Sequence, residues 1–308
     1  GATVVAFGTS LPELMVSVFS NIMASREGLS GSPDGPAAIA VANVIGSNIF
    51  NIGMVLAVAA IICRMPVPRT SMRVDLPLML GSYLMLFVFC MPMGDGIPLI
   101  SRLEGGILFV DLLLYTYLAI KLGKVDEGDI PEDNQATVAS ATVKIVVGII
   151  LLAVGGELTL NGGVSVAREI GMTDRVIGLT VMAIGTSLPE LATSVQAARR
   201  GETDIAVANI LGSNCFNILS ILGVSALIAP LPVNVGILYW DFWWMLGISA
   251  VVLPAMFFRR IITWPTGIAL LIALSVYLVL LIFMPSLGVP EQVDSATGVT
   301  VLPAGSIP

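Results

Sequence analysis

The sequence contains no histidine. This excludes a histidine general base, a histidine proton relay and the commonest ligand of transition metals. Charge is also scarce: 11% of the 308 residues are charged, against roughly a quarter in an average soluble domain. Hydrophobic residues make up 56% of the chain, and the mean hydropathy is +0.96. So little charge cannot cover a surface that faces water, and the composition therefore predicts a protein embedded in a lipid bilayer.

Cysteines and basic clusters are equally sparse. The three cysteines, Cys63, Cys90 and Cys215, stand in apolar segments without the spacing of a metal site or a disulfide framework. They are interpreted as small buried hydrophobes. No Lys- or Arg-rich run occurs, so the sequence gives no support to nucleic-acid binding. The acidic segment 126–133 is interpreted as a solvated loop, and no protein partner is predicted.

Nine apolar segments are long enough to cross a bilayer, for which a helix needs about 20 residues. They are predicted at 1–25, 37–63, 74–93, 103–122, 141–167, 174–198, 204–229, 235–258 and 263–285. The polar, acidic segment 123–137 is predicted to link two halves, and 286–308 to form a tail.

An internal repeat relates the two halves. GATVVAFGTSLPEL at 1–14 matches GLTVMAIGTSLPEL at 178–191 in 11 of 14 positions, and AVANVIGSNIFNI at 40–52 matches AVANILGSNCFNI at 206–218 in 10 of 13. The predicted repeats are 1–122 and 138–285. The first has no counterpart of 141–167, so we expect that one helix is missing from its N-terminal side. Five helices per repeat is an odd number, so the copies insert upside down relative to each other, as in many secondary transporters.

Basic residues predict the orientation. If the spans alternate, ten Lys and Arg residues fall on one side and four on the other. The first set is Arg64, Arg69, Arg73, Lys121, Lys124, Lys144, Arg199, Arg200, Arg259 and Arg260; the second is Arg26, Arg102, Arg168 and Arg175. The linker 123–137 is then cytoplasmic and the C-terminus outside.

Each copy of the first block places a proline and a glutamate within a predicted span, Pro12–Glu13 and Pro189–Glu190. Proline has no amide hydrogen and breaks the helical hydrogen bonding. Broken backbone at membrane depth is tolerated only around a protected cavity. An intramembrane carboxylate costs at least about 2.5–3.5 kcal/mol to insert, which marks it as a functional candidate. The alternative, a protonated or hydrogen-bonded structural acid, is weaker for two glutamates in matching contexts.

Inverted symmetry would bring the two glutamates together at the centre. Adjacent carboxylates repel each other, so the pair takes up a proton or binds a cation. A divalent ion matches their charge, and calcium accepts six to eight oxygens, including carboxylates and backbone carbonyls. Sodium also prefers oxygen ligands. A site that one calcium and several sodium ions share in turn is the basis of antiport.

The second block adds neutral oxygens. Ser47 and Asn51 lie four residues apart on one helix face, as do Ser213 and Asn217. These four residues are predicted to belong to the site. Gly46, Gly212, Asn48 and Asn214 are assigned instead to helix packing or helix-end hydrogen bonds. Asp241, which has tryptophans around it, is expected at the membrane interface.

The paired GTSLPEL and GSNxFNI blocks resemble the two alpha repeats of the calcium/cation antiporter superfamily, especially its prokaryotic sodium/calcium exchangers. The resemblance implies an all-helical, ten-helix inverted-repeat fold with nine helices present here, and exchange of three Na+ for one Ca2+. Glu13 and Glu190 match the shared central ligands, with Thr9 and Thr186 as carbonyl donors to calcium. The resemblance groups Ala6 with Ser10 and Ser47 in one sodium site, Ala183 with Ser187 and Ser213 in its mate, and assigns Asn51 and Asn217 to the remaining central positions.

Some members of the superfamily carry aspartate at the position of Asn217. The asparagine of this chain leaves two glutamates and no aspartate among the matched positions, which argues against potassium dependence. The nearest alternative is a Ca2+ or other cation/H+ exchanger. An intramembrane hydrolase is disfavoured because acid/base catalysis needs two acids in different environments. A passive cation channel is the other alternative. The sequence thus predicts a transporter rather than an enzyme, with no cofactor besides its transported ions.

Overall fold

The computed structural model describes residues 2–26, 36–91, 98–122, 147–148, 151, 162, 164–284, 292–293 and 300–301. The linker 123–137, most of the predicted span 141–167 and most of the tail lie outside these residues. Ten helices carry the architecture: α1 Ala2–Thr9, α2 Leu11–Arg26, α3 Ala37–Ile62, α4 Ser71–Phe89, α5 Arg102–Leu122, α6 Asp174–Thr186, α7 Leu188–Arg200, α8 Thr203–Ile228, α9 Ile237–Arg259 and α10 Trp264–Phe283.

The described helices are those of a polytopic membrane protein. Six of them, α3, α4, α5, α8, α9 and α10, are each long and apolar enough to cross a bilayer. Taken together as one broken span, α6 and α7 would make a seventh crossing, and they are bent by 43° relative to each other at Ser187. In the first repeat, α1 and α2 are likewise interrupted at a single residue, Ser10. Both breaks precede the prolines that the sequence places there, Pro12 and Pro189.

The two repeats contribute equivalent inner and outer helices. The most apolar windows of α3 and α8 are 78% and 89% buried, whereas those of α5 and α10 are 28% buried each. Large apolar side chains cover the outer faces, such as Leu103 and Phe283, which are 76% and 78% exposed. Such a surface suits lipid rather than water. The inner helices α3 and α8 thus form the centre of the protein.

Both inner helices contain a π-helical segment at the same place in the repeat. It spans Asn51–Leu56 in α3 and Asn217–Leu222 in α8, so each begins at the asparagine of the second sequence block. A π-helical turn inserts an extra residue and re-aims the side chains around it, and such turns are frequent at functional sites.

Short antiparallel ribbons join the two repeats. The strand β1 (Met65–Pro66) pairs with β4 (Ile261–Ile262), and β2 (Leu99–Ile100) pairs with β3 (Leu231–Pro232). A third ribbon joins Gln292–Val293 (β5) to Thr300–Val301 (β6). In each of the first two ribbons, the segment after an inner helix meets the segment before the other repeat's outer helix. Both pairings are related by the internal repeat.

Inner helix α3 packs directly on α6 of the other repeat. A Cβ added at Gly46 would lie 2.7 Å from the Ala183 Cβ and 2.9 Å from the Leu179 Cα. Since real Cβ atoms do not approach so closely, only glycine permits this crossing. A Cβ added at Gly212 of α8 would likewise lie 3.1 Å from the Ala6 Cβ of α1. The assignment of Gly46 and Gly212 to packing is therefore consistent with the structure.

Asp241, expected at the membrane interface, is enclosed by the protein and paired with a basic side chain. Asp241 is fully buried and accepts a 2.7 Å hydrogen bond at Oδ2 from Nε of Arg175, which is itself buried. The hydroxyl of Tyr277 donates to the other oxygen, Oδ1, at 3.1 Å. The first repeat has an equivalent contact, from the Tyr115 hydroxyl to Asp75 Oδ1 at 3.2 Å. The pairing encloses both charges within the protein, and Arg175 belongs to a helix rather than to a loop.

Candidate functional site

Both predicted glutamates reach the centre of the protein. Glu13 in the first turn of α2 and Glu190 in the first turn of α7 are 0% exposed. The Ser10 hydroxyl, at the break before α2, donates to Glu190 Oε1 at 3.1 Å. Ser10 lies one turn before Glu13, and its carbonyl accepts from the Leu14 amide at 3.2 Å. The start of α2, which carries Glu13, is thus in direct contact with Glu190.

The remaining carboxylate oxygens are unpartnered. Among the residues that the structure describes, Glu13 Oε1, Glu13 Oε2 and Glu190 Oε2 are buried without a hydrogen bond. The Ser187 hydroxyl, at the break before α7, is also buried without a hydrogen-bond partner among the described residues. Burial of a carboxylate without compensation is costly. This cluster therefore calls for a proton or a cation.

The two threonines lie between a serine and an asparagine of the other repeat. Thr9 Oγ1 is 3.4 Å from Asn209 Oδ1 and 3.5 Å from the Ser213 hydroxyl. In the symmetric arrangement, Thr186 Oγ1 is 3.3 Å from Asn43 Oδ1 and 3.3 Å from the Ser47 hydroxyl.

These contacts correct the expected grouping of the serines. Ser47 was expected with Ala6 and Ser10, but it contacts Thr186 of the other repeat, and Ser213 contacts Thr9 instead of the Ala183 and Ser187 group. The reason is the packing of α3 on α6 and of α8 on α1. Residue spacing shows which side chains share one side of a helix, but not which neighbouring helix that side contacts.

Asn43 and Asn209 were missed by the sequence analysis. Both are fully buried, and each lies beside the threonine of the opposite repeat. The signal was present, since both belong to the AVAN segment that is identical in the two copies. Repetition of a polar residue inside an apolar block was the observation that could have found them.

The Ala6 and Ala183 carbonyls, expected as sodium ligands, retain their helical hydrogen bonds. Ala6 accepts from the Ser10 amide and Ala183 from the Ser187 amide, both at 3.1 Å. The threonine hydroxyls also approach them, at 3.2 Å for Thr9 and 3.5 Å for Thr186. These carbonyls are therefore in place beside the site but already accept hydrogen bonds.

Asn51 and Asn217, at the starts of the π-helical segments, each donate one hydrogen bond and keep their oxygens free. Asn51 Nδ2 donates to Asn214 Oδ1, and Asn217 Nδ2 donates to Asn48 Oδ1, both at 2.9 Å. Neither Asn51 Oδ1 nor Asn217 Oδ1 has a hydrogen-bond partner in the described ranges. These two amide oxygens are therefore buried and available as ligands, as are the free carboxylate oxygens of Glu13 and Glu190.

This donor set suits hard cations. The described residues contain no group of three or more His, Cys, Asp or Glu side chains that could hold a metal. Within the described ranges, the carboxylates of this cluster are those of Glu13 and Glu190, and its other buried donors are neutral oxygens. Calcium and sodium accept such mixed oxygen ligands, whereas zinc and copper sites need nitrogen or sulfur.

Fold and donor set define a class of membrane cation transporter, and the family comparison agrees. The chain matches the family described as sodium/calcium exchanger protein over residues 1–121 and 140–283, and it belongs to this family. It is 34% identical over 238 residues to the putative antiporter CaxA of Alkalimonas amylolytica, covering 75% of this chain and 70% of the relative. It is 30% identical over 289 residues to the sodium/calcium exchanger MaX1 of Methanosarcina acetivorans, covering 82% and 79%.

Solved structures of the sodium-calcium exchanger NCX_Mj share the fold. A form soaked with Na+ and Ca2+ superposes with a TM-score of 0.69 at 30% identity, covering 92% of this chain and 85% of that one. A form soaked with Na+ and no Ca2+ gives 0.69 at 29% identity, covering 92% and 86%. The protein is therefore an integral membrane cation antiporter, not an enzyme, as the sequence predicts.

Proposed function

We propose that the protein exchanges Na+ for Ca2+ by alternating access, at a central site that Glu13 and Glu190 share. Thr9, Thr186, Ser10, Ser187, Ser47, Ser213, Asn51, Asn217 and the carbonyls of Ala6 and Ala183 complete the proposed ligand set. The observation that carries the proposal is the pair of fully buried glutamates whose remaining oxygens lack partners among the described residues. The family and the relatives named as sodium/calcium exchangers support it.

Charge balance explains why two different ions would alternate at this site. Two ionised glutamates carry two negative charges, which one Ca2+ balances and which three Na+ ions exceed by one charge. Bringing both kinds of ion together would leave excess positive charge in a medium of low dielectric constant, where uncompensated charge is strongly disfavoured. Exchange of three Na+ for one Ca2+ would move one net charge, so the membrane potential would drive transport.

The topology of the proposed exchanger follows the internal repeat. The first repeat is assigned to 1–122, the cytoplasmic linker to 123–137, the second repeat to 138–285 and the tail to 286–308, with the C-terminus outside. The ribbons support the alternation of spans on which this assignment depends, because each joins two loops expected on one side. The membrane is proposed to be the cell membrane.

A cation/H+ exchanger is the second candidate, because protons could neutralise the same two glutamates when calcium leaves. A K+-dependent sodium/calcium exchanger is the third. Asn51 and Asn217 argue against it, since the described residues then place two carboxylates, Glu13 and Glu190, at the centre. The hydroxyl-rich surroundings of the glutamates, with Ser10 on Glu190, favour sodium over protons.

The test is calcium-45 uptake into liposomes that contain the purified protein and are loaded with sodium at fixed pH. Uptake that requires internal sodium and responds to membrane potential supports the proposal. Glu13→Gln and Glu190→Gln should each abolish it, and Asp111→Asn, which alters a partly exposed acid on α5, should not. Uptake that ignores sodium and follows a proton gradient would transfer the assignment to the cation/H+ exchanger.

A further inference from the structure

The inner helices α3 and α8 are tied together by two asparagines that face each other across the repeats. Asn48 Nδ2 donates to the Asn214 carbonyl, and Asn214 Nδ2 donates to the Asn48 carbonyl, both at 3.3 Å. Both residues are 0% exposed. Asn214 Nδ2 also donates to the Tyr83 hydroxyl of α4 at 2.9 Å. The contact lies one turn before the π-helical segments of both helices.

These bonds fix which way the two amides point. A backbone carbonyl can only accept a hydrogen bond, so the nitrogen of each amide must face it and the side-chain oxygen must face away. The Oδ1 of Asn48 therefore points at Asn217, and the Oδ1 of Asn214 points at Asn51.

The orientation is passed on to the candidate ligands. Asn217 and Asn51 meet these oxygens with their Nδ2 atoms at 2.9 Å, which only a donor can do. Their own Oδ1 atoms are consequently left without partners within the described part of the chain. The direction of the Asn217 oxygen is thus determined by Asn48 on the opposite helix, and that of the Asn51 oxygen by Asn214.

We propose that Asn48 and Asn214 are positioning residues that direct the amide oxygens of Asn217 and Asn51 to the transported cation and require a neutral side chain at those two positions. An aspartate at 217 would set a carboxylate oxygen against Asn48 Oδ1, so two acceptors would face each other. It could be accommodated only by protonation or by turning Asn48 away from the Asn214 carbonyl. This inference rests on the proposed function and assigns a cause to its ligand geometry.

The test is a double-mutant cycle on the purified protein with calcium chloride as the probe. The quantities are the Ca2+ concentration that gives half of the maximal thermal stabilisation, and sodium-driven calcium-45 uptake. Asn48→Ala should raise the half-saturating Ca2+ concentration about tenfold, as loss of a second-sphere partner typically does. Asn217→Ala should do the same, and the double variant should be no worse than the worse single variant, because one residue acts through the other.

The matched control joins Asn48→Ala with Asn51→Ala. These residues lie on one helix, three positions apart, but Asn51 is bonded to Asn214 and not to Asn48 among the contacts described. The two substitutions should therefore act independently, so that their fold-changes in the half-saturating Ca2+ concentration multiply in the double variant. The mirror cycle of Asn214 with Asn51 should repeat the first result, and it provides the test if Asn48→Ala does not fold.

Two failures are distinguishable. A wild-type protein with neither calcium stabilisation nor sodium-driven uptake would overturn the proposed function. If the wild-type protein shows both properties, but the fold-changes of Asn48→Ala and Asn217→Ala multiply as those of the control pair do, only the positioning role is overturned. An Asn48→Ala variant that melts earlier at unchanged half-saturating Ca2+ would also overturn it, since that is the behaviour of a merely structural bond.

Discussion

Arg175 Nε and Asp241 Oδ2 lie 2.7 Å apart, and both side chains are buried among helices α6, α9 and α10. A second ion pair, Arg168 with Asp174 at 3.3 Å, lies nearby on the surface. Both are Arg–Asp pairs, but one is buried and the other is exposed. The two pairs therefore allow the effect of burial on the stabilisation by an ion pair to be measured within one protein.

Arg175→Met should lower the free energy of unfolding by about 3–5 kcal/mol, because it leaves Asp241 buried without its cation. The double variant with Asp241→Asn should recover part of this loss. Arg168→Met should change stability by no more than about 1 kcal/mol, as is usual for exposed pairs. Unfolding in mixed detergent micelles measures all three, and equal losses for Arg175→Met and Arg168→Met would contradict the argument.

Gly46→Ala should destabilise the protein by about 1–3 kcal/mol, since the added methyl group overlaps Ala183 and the α6 backbone. Gly81→Ala on α4 is the control, because no described atom lies within 4 Å of the position its Cβ would take. That variant should be neutral or slightly stabilised. Thermal melting of both proteins decides the matter, and an unaffected Gly46→Ala protein would show that the crossing tolerates a methyl group.

Asn21 holds the end of α8 in place. Its Nδ2 donates to the carbonyls of Ser225 and Ala229 at 2.6 and 2.9 Å, and its side chain is 0% exposed. Asn21→Leu removes both bonds and should cost about 1–3 kcal/mol, mainly for the Ala229 carbonyl, since the Ser225 carbonyl still accepts from the Ala229 amide at 3.1 Å. Ser275→Ala, which removes an exposed hydroxyl bonded within its own helix, should change stability by less than about 0.5 kcal/mol. Indistinguishable melting temperatures would refute this role of Asn21.

Calcium should stabilise the purified protein against heat, by about 2.7 kcal/mol at a hundred times its dissociation constant. Added sodium should raise the calcium concentration needed, since both ions use the same site. The stabilisation should disappear when Glu13→Gln and Glu190→Gln are combined, but remain in Asp111→Asn. Stabilisation that persists in the double glutamine variant would place calcium elsewhere on the protein.

The repeated blocks are what made the fold predictable. Identical GTSLPEL and GSN segments marked the two helix breaks and the two inner helices, and their apolar surroundings marked a membrane protein. The prediction of an all-helical exchanger fold is confirmed by the family and by the similarity to NCX_Mj. The roles of Glu13, Glu190 and the other candidate ligands stay predictions.

Pairing between distant helices was not predictable from one sequence. The face of α3 that carries Ser47 is evident from spacing, but its contact with Thr186 depends on α6 crossing at Gly46. The ion pair of Asp241 was not evident for the same reason: its partner, Arg175, lies 66 residues earlier on another helix. Local patterns specify which residues share a surface, whereas packing specifies what that surface meets.

The two ribbons that join the repeats restrict how this molecule can rearrange. Met65 pairs with Ile262 and Leu99 pairs with Pro232, so the backbones of the two repeats are hydrogen-bonded to each other at two points, here called latches. As long as both latches stay closed, the inner helices α3 and α8 and the outer helices α5 and α10 behave as one frame. In the proposed alternating access, the centre would then be exposed to opposite sides by other segments that slide along this frame, and not by two halves that rock apart.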